Sequence, residues 1–135
     1  MPSRTYRGVD LASSEARPSG YAVLDQRDRL LAVGLVATDE EILSLASHWR
    51  PRLVALDAPL SWPLEPDSRG RQCELLLARE GIGTFRTTRR AIIRALVERG
   101  IELAAGRGAE SGCCVREHVP RQAGRDCWHR CPTDP

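Results

Sequence analysis

Two aspartates carry the chemistry this sequence can do. Asp10 ends the stretch TYRGVD and Asp57 ends RLVALD, each after residues patterned for a strand. A carboxylate without a partner is costly in a dry core, where even a neutral polar group lacking a hydrogen bond loses roughly 2–7 kcal/mol. Both aspartates therefore belong at the mouth of a strand, open to water, a cation or a ligand. If the two strands are parallel neighbours, their carboxylates meet at one edge of the sheet. Like charges held close leave one group protonated unless a cation sits between them. A hard divalent ion such as Mg²⁺ or Mn²⁺ suits the pair, because it binds through carboxylates, water and phosphate oxygens. The alternative is that each aspartate caps a loop or the following helix.

Weaker candidates surround the pair. The loop after Asp10, LASSEARPSG, offers the hydroxyls of Ser13 and Ser14 and backbone N–H groups to a phosphate, or is only a connection. Glu15 in that loop is a candidate third carboxylate. The stretch IGTFRTTRR holds Arg86, Arg89 and Arg90, which form either a phosphate-facing cluster or a solvated helix start. Late in the chain Cys113, Cys114, His118, Cys127, His129 and Cys131 gather, but the first two are adjacent and the last three alternate. Structural zinc sites pair their ligands two to four residues apart, so this spacing fails. Cys73 reads as core rather than nucleophile, and His48 as surface rather than base.

The elements that must position these groups follow from periodicity. TYRGVDLAS reads as a strand with Val9 and Leu11 on one face and Asp10 on the other. SGYAVLD and RLLAVGLVA form a hairpin through QRD. In TDEEILSLASHW, Thr38 and Glu41 have capping-box spacing, Ile42, Leu45, Ala46 and Trp49 make one helix face, and Pro51 stops the helix. RLVALDA is then a short covered strand. A strand, a helix and a strand in that order favour a crossover, which sets the last strand parallel to an earlier one. The expected fold is α/β: a three-strand antiparallel meander, a parallel fourth strand beside the first, and flanking helices. RQCELLLAREG is a helix ended by Gly81, and TTRRAIIRALVERGIELAA a longer one with a stripe of Ile92, Ile93, Leu96, Val97 and Ile101.

Length and composition set the bounds. At 135 residues the chain is one domain, too short for two lobes. Its 20 basic residues are all arginine, against 18 acids, a net charge of +2. Such a balanced surface gives only slight support to a nucleic-acid partner. Lysine-free composition rich in Ala, Gly and Pro reads as GC-rich coding. No signal peptide or membrane span is evident, so a soluble cytoplasmic protein with reduced cysteines is expected, and no membrane partner. Oligomeric state is not readable.

The stretches GVDLASS, SGYAVLD, LVALDAPLSWP and RQCELLLAREGIGTF resemble, in order and spacing, domain-of-unknown-function family 429, the predicted ribonuclease H-like nucleases, over residues 6–105. The resemblance implies a ribonuclease H-like mixed sheet in which the first and fourth strands hold divalent metal through acidic residues. Carried over by position, those residues are Asp10 and Asp57. Arg71, Cys73 and Glu74 match the family's R-x-C-[DE] helix start, and Arg71 joins the arginines as a candidate substrate contact.

The family pattern continues with a strand ending in Tyr-Pro-Gly, where this chain has REHVPRQ. Codons for His118-Val119-Pro120-Arg121 read one nucleotide later permit Thr-Tyr-Pro-Gly. The expectation is therefore an incomplete domain over 6–106 and an irregular Cys- and Arg-rich tail over 107–135, out of frame. The fifth strand and last acid would be missing and the sheet edge unprotected.

Three functions compete. The first is metal-dependent phosphodiester hydrolysis on a nucleic acid, with Asp10 and Asp57 as ligands and impaired by the altered tail. The second is a non-catalytic remnant or binding module. The third, ranked lowest, is a phosphotransferase of the actin and sugar-kinase type, suggested by GVDLASS but lacking a second lobe.

Overall fold

The structure is a computed structural model that describes residues 4–110 and 114–117. It begins with β1 (Thr5–Asp10), β2 (Ser19–Asp25) and β3 (Leu30–Val36). β1 pairs antiparallel with β2, and β2 with β3. The turn between β2 and β3 is built on Asp25, whose Oδ1 accepts from the N–H groups of Arg27 and Arg29 at 2.8 and 3.0 Å. Those backbone donors, led by Arg29, and the Arg29 guanidinium hold the buried Asp25 carboxyl below its ordinary value.

Helix α1 (Asp39–Trp49) starts on the expected capping box. Thr38 Oγ1 accepts from the Glu41 N–H at 3.1 Å, and Glu41 Oε2 accepts from the Thr38 N–H at 3.0 Å. Ile42 and Ala46 are its buried residues, and Arg50 ends it in a left-handed conformation just before Pro51. The chain then returns as β4 (Leu53–Leu56), parallel to β1 with Val9 opposite Leu56.

Two more helices follow, α2 (Gln72–Arg79) and α3 (Ala91–Glu110). Gly81, at φ +75°, turns the chain away after α2 as expected. Val9, Leu11, Ile42, Val54, Leu56, Ala58 and Leu103 form the core, so α1 and α3 cover the same face of the sheet. The alternation in β1 is as expected, with Val9 and Leu11 buried and Asp10 exposed. In α3, among the residues whose burial is described, Val97 of the expected stripe is buried and Leu96 packs against the core, and Arg99, Gly100 and Leu103 are buried beside them.

The expectation of a missing fifth strand is corrected. β5 (Cys114–Glu117) pairs parallel with β4, giving a five-stranded sheet in the order β3-β2-β1-β4-β5. β4 is thus an interior strand with its backbone groups paired on both sides. Four residues are too few to show a period, so the sequence carries no pattern for this strand. α3 likewise continues past residue 106 to Glu110, although Gly106 and Gly108 weaken its sequence signal. The remaining tail positions singled out for zinc or for a lost motif, from His118 onward, and Cys113 lie outside the described residues. Among the described residues no helix is long and apolar enough to cross a membrane.

Candidate functional site

Asp10 and Asp57 are brought together at the C-terminal ends of β1 and β4. The parallel register puts Val9 beside Leu56, and the Asp57 N–H extends the ladder by donating to the Val9 carbonyl at 2.9 Å. The two aspartates are therefore the next pair in register on strands about 4.8 Å apart. Both are exposed. On the other flank Asp10 faces Gly20, where a β-carbon would lie 3.8 Å from the Asp10 Cβ. A residue with a longer side chain there would stand beside the carboxylate, and glycine leaves that space open.

The loop carrying Ser13 and Ser14 leaves directly from Asp10, with both serines exposed. Its root is fixed at Ala12, whose N–H donates to the Oγ of buried Ser19 at 3.0 Å and whose carbonyl accepts from Arg99 Nη1 at 2.8 Å. Arg99, 6 % exposed, also donates through Nε to Asp39 Oδ1 at 2.7 Å and through Nη2 to the Ala37 carbonyl at 3.2 Å. One guanidinium fork thus ties the loop after β1 to the start of α1, a use of fixed planar donors that lysine does not match. Glu15 is not beside the aspartates. Its Oε1 accepts from the Asp39 N–H at 2.7 Å, at the N-terminus of α1. Among the described residues no group of three or more His, Cys, Asp or Glu side chains is placed to hold a metal ion.

The arginines divide. Arg71 is half-buried, and its Nε donates to Glu74 Oε1 at 2.8 Å. Glu74, 3 % exposed, also accepts from the Arg71 N–H at 2.9 Å, the Thr87 N–H at 2.7 Å and the Thr87 hydroxyl at 2.6 Å. Burial pushes this carboxyl up, but the Thr87 hydroxyl, the two backbone N–H groups and the guanidinium outweigh it and hold it below its ordinary value. The R-x-C-E start of α2 is therefore a clamp on the loop that carries Arg86, Arg89 and Arg90, all three exposed. Arg89 lies over an aromatic ring, its Cζ 5.3 Å from the centroid of Trp62 in the segment that follows Asp57. Cys73 is half-buried and unpaired in a disulfide. His48 is exposed, edge-on to Trp49.

Sequence reading did not find Ser19, Arg99 or the role of Glu74. Arg99 had a signal: it lies three residues after Leu96 and four before Leu103, a charge inside an apolar stripe.

A family model described as "Protein of unknown function (DUF429)" matches residues 8–132. The chain belongs to that family. The match to DUF429 runs well past residue 105, the end of the resemblance read from the sequence. No curated protein matches. Among solved structures, the chain is similar to RuvC of T. thermophilus, solved in complex with Holliday junction substrate, at 16% identity and a TM-score of 0.51. That likeness covers 87% of this chain and 65% of RuvC, and with the strand order it shows a ribonuclease H-like fold for this DUF429 chain. A further similar structure is the cytoplasmic domain of EpsL, an inner-membrane component of the type II secretion system of Vibrio cholerae. There the identity is 18%, the TM-score 0.44, and the coverage 87% of this chain and 60% of that one.

Proposed function

We propose that this protein is a divalent-metal-dependent nuclease whose centre is built on Asp10 and Asp57. The observation that carries the reading is the adjacency of these two exposed carboxylates at the ends of parallel neighbouring strands, in a fold shared with a Holliday-junction-bound protein. The pair fits Mg²⁺ or Mn²⁺: two oxygen donors, open to solvent, with the bare Gly20 leaving room for water and a phosphate. When bound, the ion supplies a water of lowered pKa and positive charge for the leaving oxygen.

The chain's own residues do the rest. Asp10 and Asp57 would hold the ion through their carboxylate oxygens. The Ser13–Ser14 loop, rooted by Ser19 and Arg99, offers hydroxyls and N–H groups to the scissile phosphate. Arg89, braced on Trp62, and Arg86 in the same loop engage phosphates of a DNA or RNA backbone, which fixes register without reading sequence. Arg71 acts at one remove, through the Glu74 clamp that shapes the arginine loop.

Calorimetry with Mg²⁺ and Mn²⁺ tests the metal site, using the wild type, Asp10→Asn and Asp57→Asn. Binding that disappears in both variants, with cleavage of branched or single-stranded DNA or RNA by the wild type alone, is the expected result. A folded wild type that binds neither ion overturns the reading and leaves a binding module on a nuclease fold.

A further inference from the structure

We propose that the outer edge of β3 is a self-association surface, and that its partner is a second copy of this chain paired antiparallel across a two-fold axis. β3 ends the sheet on one side, and no described strand pairs with its outer edge. The strand LLAVGLV is seven residues long and holds neither charge nor proline. Its apolar side chains stand in water: Leu30 is 57 %, Val33 66 % and Leu35 71 % exposed. Edge strands are normally defended by charge, proline, shortness or a bulge that twists them away. The opposite edge, β5, is short at four residues. In β3 the register irregularity opposite Val23 and Leu24 lies near its start, so Ala32–Val36 remains a regular, undefended template.

The sequence of that template is matched to itself. Opposed residues of an antiparallel pair share a face, so a two-fold axis must pass through a residue. With the axis at Gly34, Val33 of each copy meets Leu35 of the other on the open face of the sheet, and Gly34 meets Gly34. The flanks are complementary in charge. Arg29 and Asp39 are held within their own chain by Asp25 and Arg99, which leaves exposed Arg27, in the turn before β3 of one copy, and exposed Glu40, in the first turn of α1 of the other, as the opposite charges at the two ends of the pairing. No protein of different chemistry is needed to satisfy this edge. A single strand pairing falls below the roughly 1,200 Å² at which stable interfaces begin, so a reversible, micromolar dimer is expected.

Sedimentation equilibrium on the full chain, from about 1 to 200 μM, provides the test. It is run on the wild type, Val33→Lys, Leu35→Lys and Leu35→Thr, the last keeping strand propensity in case a lysine impairs folding. The expected result is a monomer–dimer equilibrium in the wild type, with the dissociation constant raised about tenfold or more by each folded variant. A wild type that stays monomeric throughout overturns the proposal, as does a dimer whose affinity the substitutions leave unchanged. Sedimentation reads mass alone, so neither result tests the metal site; Val33, opposite Ala22, stands outside the row in which Leu35 pairs with Gly20 and Gly20 with Asp10.

Discussion

Gly100 of α3 passes Ala58 so closely that a β-carbon on the glycine would come within 3.0 Å of the Ala58 Cβ, and within 3.2 Å of the Pro59 carbonyl oxygen. The helix is therefore seated directly on the segment that follows Asp57. Backbone, not a flexible side-chain end, forms part of that contact.

The glycines of α3 thus differ in what they tolerate. Gly106 has open space around it, so Gly106→Ala should stabilise by about 0.5–1 kcal/mol through helix propensity. Gly100→Ala gains the same propensity but overpacks, at about 1–3 kcal/mol, and a net loss of roughly 1–2 kcal/mol is expected. Urea denaturation of the two variants measures this. A stabilised Gly100→Ala would mean that the Asp57 segment yields freely.

Glu74→Gln should lower stability by about 1–3 kcal/mol at neutral pH, since four donors converge on one carboxylate and an amide must present its own NH₂ to some of them. The pH dependence has a definite direction. The Glu74 carboxyl is held below its ordinary value in the folded state, so its contribution is complete above about pH 4.5 and is lost as pH falls through the lower folded value. Stability curves of wild type and variant should therefore converge in acid. Parallel curves from pH 7 to pH 3 would rule out a charged Glu74 as the source.

Arg99→Met keeps the bulk of the side chain and removes its three polar contacts. The Ala12 and Ala37 carbonyls and Asp39 lose their donor, at a cost of about 3 kcal/mol. Arg99→Lys should recover only part of that, because one ammonium cannot span the fork. Chemical denaturation reads both, and amide exchange should show the loss concentrated in the loop after β1 and the first turn of α1.

If nucleic acid is the partner, Arg89→Gln should weaken binding evenly across sequences and reduce the slope of log affinity against log salt by about 1. Trp62→Ala, which removes the ring under Arg89, should act in the same direction more weakly. Fluorescence anisotropy at several salt concentrations decides it. Unchanged slopes would assign Arg89 to the surface alone.

How much of this was legible depended on distance along the chain. The capping box at Thr38 and Glu41 and the alternation around Val9 were readable, because neighbours in sequence determine them. The placement of Asp10 beside Asp57 followed from a general rule, that a strand, helix and strand cross over in parallel. β5 was hidden because a four-residue strand is specified by the β4 edge it completes, not by a pattern of its own. The clamp at Glu74 was invisible for a related reason: its meaning lies in Thr87, on a different segment.

The parallel pairing of β1 with β4 also orders events in time. The β2–β3 hairpin is local and can close in about 1–10 μs, whereas β4 reaches β1 only after the chain has travelled through the hairpin and α1. Asp10 and Asp57 therefore become neighbours late in folding. A newly made chain can be compact, with its hairpin formed, while its two carboxylates are still apart.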